Sequence, residues 1–477
     1  MNSEEFRRHG YEVIDWIADY LEHADRYPVM SRSRPGDIKA LIGDHAPEDG
    51  ESMETILEDF RRDILPGVTH WNHPRFFAYF PANNSGPSIL GEMLSAGLGV
   101  NAMLWQTSPA ATELEEKVTA WLGELLGLPA GFHGVIQDTA STTTLCALVC
   151  AREKATAFAV NAAGPAGLAG AGPLRIYASR EAHSSVLKGA KIAGFGAENV
   201  VQVDIDAERA MDPADLEARI TADLAGGLIP CCVVATVGTT GCTAIDSLSD
   251  IGPVAKKHNL WLHVDAALAG NAAILPEMRW ILDGVEHADS FVFNPHKWLL
   301  TNFDCSAYYV RDPDHLERTL SIHPEYLKTG RDREVNNYMD WGIPLGRRFR
   351  ALKLWFVLRS YGAVRLREII ANHIALAAEF AGWIDAAGDW ERLAPVPVNT
   401  VCFRWKPSAM DEAALNAANQ TLIDRVNIDG TIYLTHTKLD DIFTIRLAVG
   451  QRATKREHVV TAWEILQKMA GEIQDGD

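Results

Sequence analysis

The middle of the chain alternates short apolar runs with helical stretches, and this alternation limits the fold more than any other feature. Four runs have the composition of buried strands: "LRIYAS" (Leu174 to Ser179), "CCVVATVG" (Cys231 to Gly238), "LWLHVDAA" (Leu260 to Ala267) and "SFVFNP" (Ser290 to Pro295). Helical patterns separate them, as over Pro213 to Ala225 and Ser249 to His258. Strands that are apolar throughout and alternate with helices are typical of parallel sheets covered on both faces. The sequence therefore predicts an α/β fold with a central, mostly parallel sheet.

Polar residues stand where these predicted strands end. Thr239 and Thr240 follow the second run. Asp265 lies near the end of the third run, and His296 and Lys297 follow the fourth. The carboxyl ends of parallel strands share one edge of a sheet, and open α/β sheets bind ligands at that edge. We therefore expect a binding site there.

The two ends of the chain differ from this middle part. Residues 1–84 show helical patterns without strand patterns, the first pattern being carried by Val13, Ile14, Ile17 and Leu21. We expect this helical segment to pack on another domain or another subunit. Residues 354–477 contain two strand-like runs, "NTVCFRW" and "FTIRLAV", among helices, which predicts a small α+β domain. The large α/β domain is then expected over 85–353.

Charge and cysteine usage exclude several classes of partner. The formal net charge is −19, which disfavours binding to nucleic acid or to an anionic membrane. The N-terminus has no apolar signal region, and no run resembles a membrane span. The seven cysteines form neither a CxxC pair nor a zinc-like Cys/His group, as in proteins with reduced thiols. We predict a cytoplasmic protein without a metal site.

Lys297 lies in "FVFNPHKWLL", where apolar residues dominate both flanks. Such a lysine either rests its stem on apolar surface with its amine in water, or is made nucleophilic by partial burial. Asp265 is likewise either a helix N-cap or a functional carboxylate. Pyridoxal phosphate uses both types: a lysine that holds its aldehyde as an imine, and a carboxylate that keeps its pyridine nitrogen protonated. The small side chain of Ala267 would let a flat ring lie close to the backbone.

Two further stretches fit the same cofactor. His183, in "EAHSS", is either a surface-loop residue or a stacking partner for a ring. "QDTASTTT" opens a predicted helix that runs to Ala155, and such an N-terminus is either ordinarily capped or binds phosphate through Ala140 and Ser141. The chain has no glycine-rich nucleotide loop. The order of phosphate turn, histidine, threonine pair, aspartate and lysine favours a pyridoxal phosphate site.

Longer motifs carry a family resemblance. "HVDAALAG" followed by "FNPHKWLLTNFDCSA" closely resembles the group II pyridoxal-phosphate-dependent decarboxylases, specifically the aromatic L-amino acid decarboxylases. "HWNHPRFFAYFP", "SPAATELE", "GVIQDTAS", "IPLGRRFRALKLWFVLRSYG" and "TIRLAV" extend the resemblance over nearly the whole chain. It implies the aspartate aminotransferase-like fold (fold type I), pyridoxal 5'-phosphate as cofactor, and an intertwined homodimer with shared active sites.

The resemblance also implies roles for individual residues. Lys297 matches the imine lysine, Asp265 the pyridine-nitrogen partner and His183 the stacking histidine. Tyr326, in "HPEYLK", matches the tyrosine of a mobile catalytic loop, where a neutral phenol can protonate the α-carbon after CO2 leaves. The implied phosphate and ring contacts are Ala140, Ser141, Asn294, His296 and Thr240. The implied substrate-binding residues are Trp71, Tyr79, Phe80, Pro81, Ala82, Met103 and Gly346, of which Met103 belongs to a segment that reaches the partner subunit's site.

The reaction that the resemblance implies is decarboxylation of an aromatic L-amino acid to its amine and CO2. An alternative is an oxygen-dependent aldehyde synthase, but plant enzymes of that kind have phenylalanine at the place of Tyr326, and insect ones replace the histidine at the place of His183. Another alternative is a binding or structural homologue without activity, against which the retention of these residues speaks. The preferred substrate stays open, because four positions depart from the usual pattern: Ala82, Asn101, Met103 and Leu268.

Overall fold

The computed structural model describes residues 1–170, 172–322, 327, 330–331, 334–408 and 410–475. Within these residues the helices are α1 (Ser3–Glu22), α2 (Asp37–Leu41), α3 (Met53–Asp59), α4 (Gly86–Leu98), α5 (Pro109–Leu126), α6 (Ala140–Thr156), α7 (Ala159–Ala163), α8 (Ser185–Ile192), α9 (Pro213–Ala225), α10 (Leu248–Lys257), α11 (Pro295–Trp298), α12 (Pro313–Leu320), α13 (Arg350–Ala386), α14 (Glu412–Asp429) and α15 (Arg456–Asp475). The strands are β1 (His133–Gln137), β2 (Leu174–Ser179), β3 (Val200–Val203), β4 (Ile229–Thr236), β5 (Trp261–Asp265), β6 (Ser290–Phe293), β7 (Ser306–Val310), β8 (Trp390–Arg392), β9 (Thr400–Trp405), β10 (Thr435–Leu439) and β11 (Ile442–Ala448).

The described strands form a large sheet in the order β1-β7-β6-β5-β4-β2-β3 and a small sheet in the order β10-β11-β9-β8. In the large sheet, β3, β2, β4, β5 and β6 pair in parallel, whereas β7 is antiparallel to both of its neighbours. β5 and β6 are buried along their whole length, which explains why their sequences are apolar throughout. The predicted α/β fold with a mostly parallel central sheet is confirmed.

The four predicted strands are confirmed as β2, β4, β5 and β6, and the two predicted helices between them as α9 and α10. α9 begins where the sequence indicates, because the side chain of Asp212 accepts hydrogen bonds from the backbone of the first turn and Pro213 follows it. The sequence did not identify β1, β3 and β7. β3 is only four residues long, and β1 contains Gly134, where any Cβ would lie 2.6 Å from Thr119.

The small sheet confirms both strand-like runs of the C-terminal region, as β9 and β11. Its core contains Phe380, Phe403, Ile445 and Leu466. α13 links this core to that of the large sheet, which includes Leu354 and Val357. The helix is interrupted at Gly362, which has a φ of 65°. The division into 1–84, 85–353 and 354–477 stays a prediction.

The N-terminal region is helical, as expected. Asn2 and Glu5 form a capping box at the start of α1. The helix α3 ends at Asp59, and the chain continues as a wider π-helical turn over Phe60–Ile64. Among the described residues, no helix combines the length and the apolar character that crossing a membrane requires.

Candidate active site

One edge of the large sheet carries a cavity of about 180 Å³. Its walls come from the carboxyl ends of β4, β5 and β6, the loop after β2 and the start of α6. Every residue predicted to contact the cofactor lines it: Ala140, Ser141, His183, Thr240, Asp265, Ala267, Asn294, His296 and Lys297. The remaining lining residues are Phe80, Thr139, Thr236, Gly238, Leu268 and Phe303. The fold therefore brings together residues as far apart in the sequence as Phe80 and Phe303.

Lys297 lies in the short helix α11, which follows directly on β6. Its backbone carbonyl accepts a hydrogen bond of 3.0 Å from the side chain of Asn83, so the backbone is fixed while the amine faces the cavity. The amine lies 5.2 Å from the centre of the Phe80 ring. Burial lowers the pKa of the Lys297 amine, although the charge of Asp265 opposes this shift. A lowered pKa makes the neutral, nucleophilic amine more accessible.

Asp265 is the last residue of β5 and is itself buried. Its Oδ1 accepts a hydrogen bond of 3.1 Å from the backbone N–H of Ala267, a local contact of the kind that an aspartate at a strand end makes. The carboxylate nevertheless lines the cavity together with Lys297. The local hydrogen bond fixes the carboxylate orientation and is compatible with a second partner in the cavity.

His183 forms another wall, and its ring is held by the start of α8. Its Nδ1 accepts a hydrogen bond of 3.1 Å from the backbone N–H of Ser185 and lies 2.8 Å from the Ser185 hydroxyl. In the neutral ring the proton is therefore on Nε2. Burial lowers the pKa of His183, and the nearby Lys297 adds to this, whereas Asp265 opposes it. The ring is thus a flat, neutral surface beside the lysine.

Hydrogen-bond donors collect at the α6 side of the cavity. The carbonyl of Thr139 accepts from the N–H groups of Thr142 and Thr143, but its side chain makes no hydrogen bond to the first turn of α6, which leaves the N–H groups of Ala140 and Ser141 for an anion. His296 accepts a 2.9 Å hydrogen bond at Nδ1 from the backbone of Cys305, so that its neutral ring carries a proton on Nε2. Burial lowers the pKa of His296 to about 3. Asn294 accepts from the Ser306 hydroxyl through Oδ1, which leaves its amide nitrogen as a donor.

These groups fit pyridoxal phosphate. The donors just described suit a phosphate, and the lysine and the carboxylate are the pair that the aldehyde and the pyridine nitrogen require. In addition, the hydroxyl of Thr236 is buried at the cavity without a hydrogen-bond partner in the described part of the chain. A buried hydroxyl in this state is costly, so it indicates a polar ligand group in the cavity.

The residues predicted to bind substrate are not all at the cavity. Phe80 lines it. Tyr79 lines a neighbouring cleft together with His183 and Thr240, and its ring stacks on Trp71 with centroids 5.7 Å apart.

Four other predicted residues lie off the cavity lining. Pro81 is buried against Gly450, and Ala82 is partly buried beside it in the chain. Met103 packs with Leu104 and Met339, and Gly346 lies against Asn101, in another depression of the surface. Tyr326 lies outside the described residues.

Sequence reasoning missed Arg446. It is buried in β11, its guanidinium lies 5.2 Å from the Phe80 ring, and its Nη2 has no hydrogen-bond partner among the described residues. Its Nε donates to the carbonyl of Gly241, next to Thr240. The signal was present, since "FTIRLAV" places one arginine in an apolar strand as unusually as "FVFNPHKWLL" places its lysine.

Comparison with known proteins decides the family. The family model described as the pyridoxal-dependent decarboxylase conserved domain matches residues 35–406. The chain belongs to the pyridoxal-dependent decarboxylases. Pyridoxal 5'-phosphate is accordingly the cofactor of this decarboxylase, and the cavity with its lysine, carboxylate and donors is the place that fits it.

The relatives of this decarboxylase cover its whole length. Tyrosine decarboxylase 4 of Petroselinum crispum is 46% identical over 100% of this chain and 95% of its own length. Phenylacetaldehyde synthase of Arabidopsis thaliana is 44% identical over 98% of this chain and 96% of its own. The crystal structure of Oryza sativa TDC with PLP and tryptamine superposes with a TM-score of 0.95 at 36% identity, covering 99% of each chain. The expected fold type I architecture is therefore confirmed.

Proposed function

We propose that this decarboxylase converts aromatic L-amino acids to the corresponding arylalkylamines and CO2. The observation that carries the proposal is one cavity in which Lys297, Asp265 and His183 meet the aromatic side chains of Phe80 and Phe303. The names of its relatives support the same reaction, since they include tyrosine decarboxylases and a tryptophan decarboxylase.

The residues of the cavity have complementary tasks. When bound, pyridoxal phosphate supplies a sink for the electron pair that remains after the carboxyl group has left. Lys297, with its lowered pKa, holds the cofactor and yields its place to the substrate amine. Asp265 would keep a proton on the pyridine nitrogen of the bound cofactor, and His183, whose neutral ring is held by Ser185, would lie against its ring. Tyr326 is proposed to return the proton to the α-carbon.

The aromatic walls support the substrate class. Phe80 and Phe303 both line the cavity, and the Phe303 ring packs on His296 with centroids 4.5 Å apart. Aromatic side chains favour offset or edge contacts with another ring, so an arylalkyl side chain would gain packing there that a carboxylate side chain would lose. We therefore expect glutamate to be a poor substrate.

A second candidate is the oxygen-dependent aldehyde synthase, which consumes the aromatic amino acid, O2 and water and releases an aromatic aldehyde, CO2, ammonia and hydrogen peroxide. One relative at 44% identity is named phenylacetaldehyde synthase, and a Rhodiola rosea 4-hydroxyphenylacetaldehyde synthase has a similar structure. Tyr326 favours the decarboxylase. We expect Tyr326→Phe to shift the product from amine towards aldehyde with O2 consumption.

We also propose that the enzyme is a homodimer with shared active sites, in which residues 1–84 pack across the dimer. In the single chain, α4 exposes an apolar face at helical spacing, formed by Leu90, Met93, Leu94 and Leu98. α1 likewise exposes Phe6 and Tyr11. Phe303 lines the cavity yet is 60% exposed, so a second copy would complete that wall. Light scattering is expected to give a dimer, and Leu94→Glu to weaken both dimer and activity.

We also propose a cytoplasmic location. All seven cysteines are free and buried, as expected for a reducing compartment. Cell fractionation with antibody detection would test it, and recovery in a secreted or membrane fraction would contradict it.

A product assay tests the proposed reaction directly. The purified holoenzyme would be supplied with phenylalanine, tyrosine, DOPA, tryptophan, 5-hydroxytryptophan and glutamate, and amine, CO2, aldehyde and peroxide would be measured together. We expect equal amounts of amine and CO2 from at least one aromatic substrate, without peroxide. Aldehyde with equimolar peroxide would establish the synthase instead, and turnover of glutamate alone would contradict both.

A further inference from the structure

Arg209 adopts a backbone conformation that the chain would obtain more easily with glycine. It closes a tight turn in which its N–H donates to the carbonyl of Asp206, and Asp206 in turn pairs with Ala210. Arg209 has a φ of 67°, which is the left-handed region. Glycine is the usual residue for such a position after a turn, because any Cβ is strained there. Arg209 holds this conformation with a long side chain, and the contacts of that side chain decide what it contributes.

That side chain is a buried bridge between two separate parts of the molecule. Its Nη2 donates to Oε1 of Glu181 at 2.9 Å, and its Nη1 donates to Oδ2 of Asp440 at 2.8 Å. Glu181 precedes His183 by two residues, in the loop after β2. Asp440 lies in the two-residue turn that joins β10 to β11 in the small sheet. The guanidinium thus ties the histidine loop to the tip of this hairpin.

The geometry favours a strong contact. The Arg209 side chain is 10% exposed and that of Glu181 is 14% exposed, so this pair is shielded from water, whereas Asp440 at the other end of the bridge is 53% exposed. The hydrogen bond from Arg209 lowers the pKa of Asp440. A planar guanidinium that bridges two carboxylates fixes direction as well as distance, which a lysine cannot do.

The small sheet also contacts the neighbouring wall of the cavity, which carries Thr240. The carbonyl of Gly241, next to Thr240, accepts hydrogen bonds from Arg446 and from the thiol of Cys402 in the small sheet. The Oε2 of Glu181 would lie 3.1 Å from a Cβ placed on Gly241, so the histidine loop and the threonine loop are in contact. Arg209 adds the corresponding contact between the small sheet and the histidine loop.

We propose that Arg209 is a positioning residue, which sets the place of the His183 ring over the cofactor by coupling the histidine loop to the β10–β11 hairpin. This inference rests on the proposed function, because that function gives His183 its role at the cofactor. Arg209 acts through Glu181 and does not line the cavity itself. The bridge through Arg209 joins the loop that carries His183 to the small sheet.

The turn supplies an informative variant, Arg209→Gly. Glycine relieves the backbone strain while it removes the bridge, so the two effects on stability oppose each other, and we expect the melting temperature to stay within about 5 °C of wild type. The visible circular dichroism of bound pyridoxal phosphate is expected to fall, and cofactor release to become several-fold faster. Displacement of the ring should lower kcat/KM roughly tenfold, since a 1 Å misplacement can cost on the order of 10²-fold.

Two further variants distinguish a positioning role of Arg209 from a purely structural one. Arg209→Lys keeps the charge without the fork and is expected to recover part of the cofactor signal. Arg219→Gln is the matched control, because Arg219 also contacts two carboxylates, Asp204 and Asp215, but lies on α9, away from the histidine loop and the hairpin. We expect it to behave as wild type.

The outcomes are distinct. A lower cofactor signal and lower kcat/KM in Arg209→Gly, with wild-type values in Arg219→Gln, support the proposal. Wild-type cofactor dichroism, release rate and kcat/KM in Arg209→Gly would overturn it, whatever the change in melting temperature. If the wild-type enzyme failed to decarboxylate aromatic amino acids, the proposed function would be wrong. The cofactor dichroism and release rate would still test the positioning role of Arg209.

Discussion

Two lysines of this decarboxylase are withdrawn from water, and they lie in different regions. Lys297 follows β6, and its amine faces the cavity, 5.2 Å from the centre of the Phe80 ring. Lys353 lies on α13, where it is fully buried, and its Nζ is 2.8 Å from Oε2 of Glu92 on α4. Burial lowers the pKa of both amines, to about 8 for Lys353. Both lysines are therefore in environments that favour the neutral amine, but one faces the cavity and the other lies between two helices.

The difference lies in what each amine contacts. The Lys353 amine lies 2.8 Å from Oε2 of Glu92, which is the distance of a close ion pair. The two helices cross closely there, since a Cβ on Gly91 would lie 2.6 Å from the Cα of Lys353. Lys297 has open space before it and a carboxylate, Asp265, that acts through its charge. A buried lysine in contact with an acid stabilises packing, whereas one that faces a cavity is available for chemistry.

The largest effect that this comparison predicts is that of Lys297→Ala. Removal of the amine takes away the covalent hold on the cofactor, so turnover is expected to fall by at least roughly 10³-fold. The absorbance of the bound cofactor should change at the same time, while thermal unfolding stays near that of wild type. Lys191→Ala, at an exposed position of α8, is the control. Normal turnover in Lys297→Ala would remove the basis for the contrast with Lys353.

Asp265→Asn is expected to have the next largest effect. The asparagine oxygen can still accept the hydrogen bond from the N–H of Ala267, so local geometry is kept while the charge is lost. Without the carboxylate the pyridine nitrogen loses its proton, and kcat should fall by about 10²-fold or more. Steady-state kinetics and the cofactor spectrum measure this. An unchanged kcat would show that Asp265 is only a strand-end residue.

Lys353→Met should act mainly on stability. Breaking a fully buried pair costs about 3–5 kcal/mol; here Glu92 is partly exposed and keeps Arg348 as a partner, so we expect about 2 kcal/mol. Urea unfolding of the apoenzyme measures the loss. The double variant Lys353→Met with Glu92→Leu should recover part of it, because both charges are then absent. A loss of turnover as large as that of Lys297→Ala would contradict the division of roles.

Much of the fold was predictable because its signals are local. β4, β5 and β6 are apolar runs of the right length, and α9 carries its own cap at Asp212. The missed strands lack such signals. β7 is antiparallel and fills a place between β1 and β6, which is decided by the sheet as a whole and not by the sequence of Ser306–Val310.

The site was predictable in part for the same reason. Lys297, Asp265 and His183 follow strands whose ends the sequence indicates, so their meeting at one edge could be predicted. Arg209 could not be found in this way, because its role depends on contacts with Glu181 and Asp440. Asp440 is 231 positions away in the sequence. Long-range pairing is a property of the folded chain.

The smallest expected effect concerns pH. It tests whether burial or the attraction of Glu92 controls the pKa of Lys353. Its pKa is about 8 in the folded protein and about 10.4 in an unfolded chain, so between these values the unfolded state binds more protons. The contribution of Lys353 to the free energy of unfolding therefore rises with pH over this window and is constant below it. The stability deficit of Lys353→Met should accordingly be larger at pH 10 than at pH 8, measured by urea unfolding of the apoenzyme, with Lys191→Met as a control whose deficit does not change. If attraction to Glu92 outweighed burial, the folded pKa would be raised instead, and the deficit would shrink as the pH rises through that value. The direction of this one slope decides whether Lys353 resembles Lys297 in its electrostatics and differs only in its surroundings.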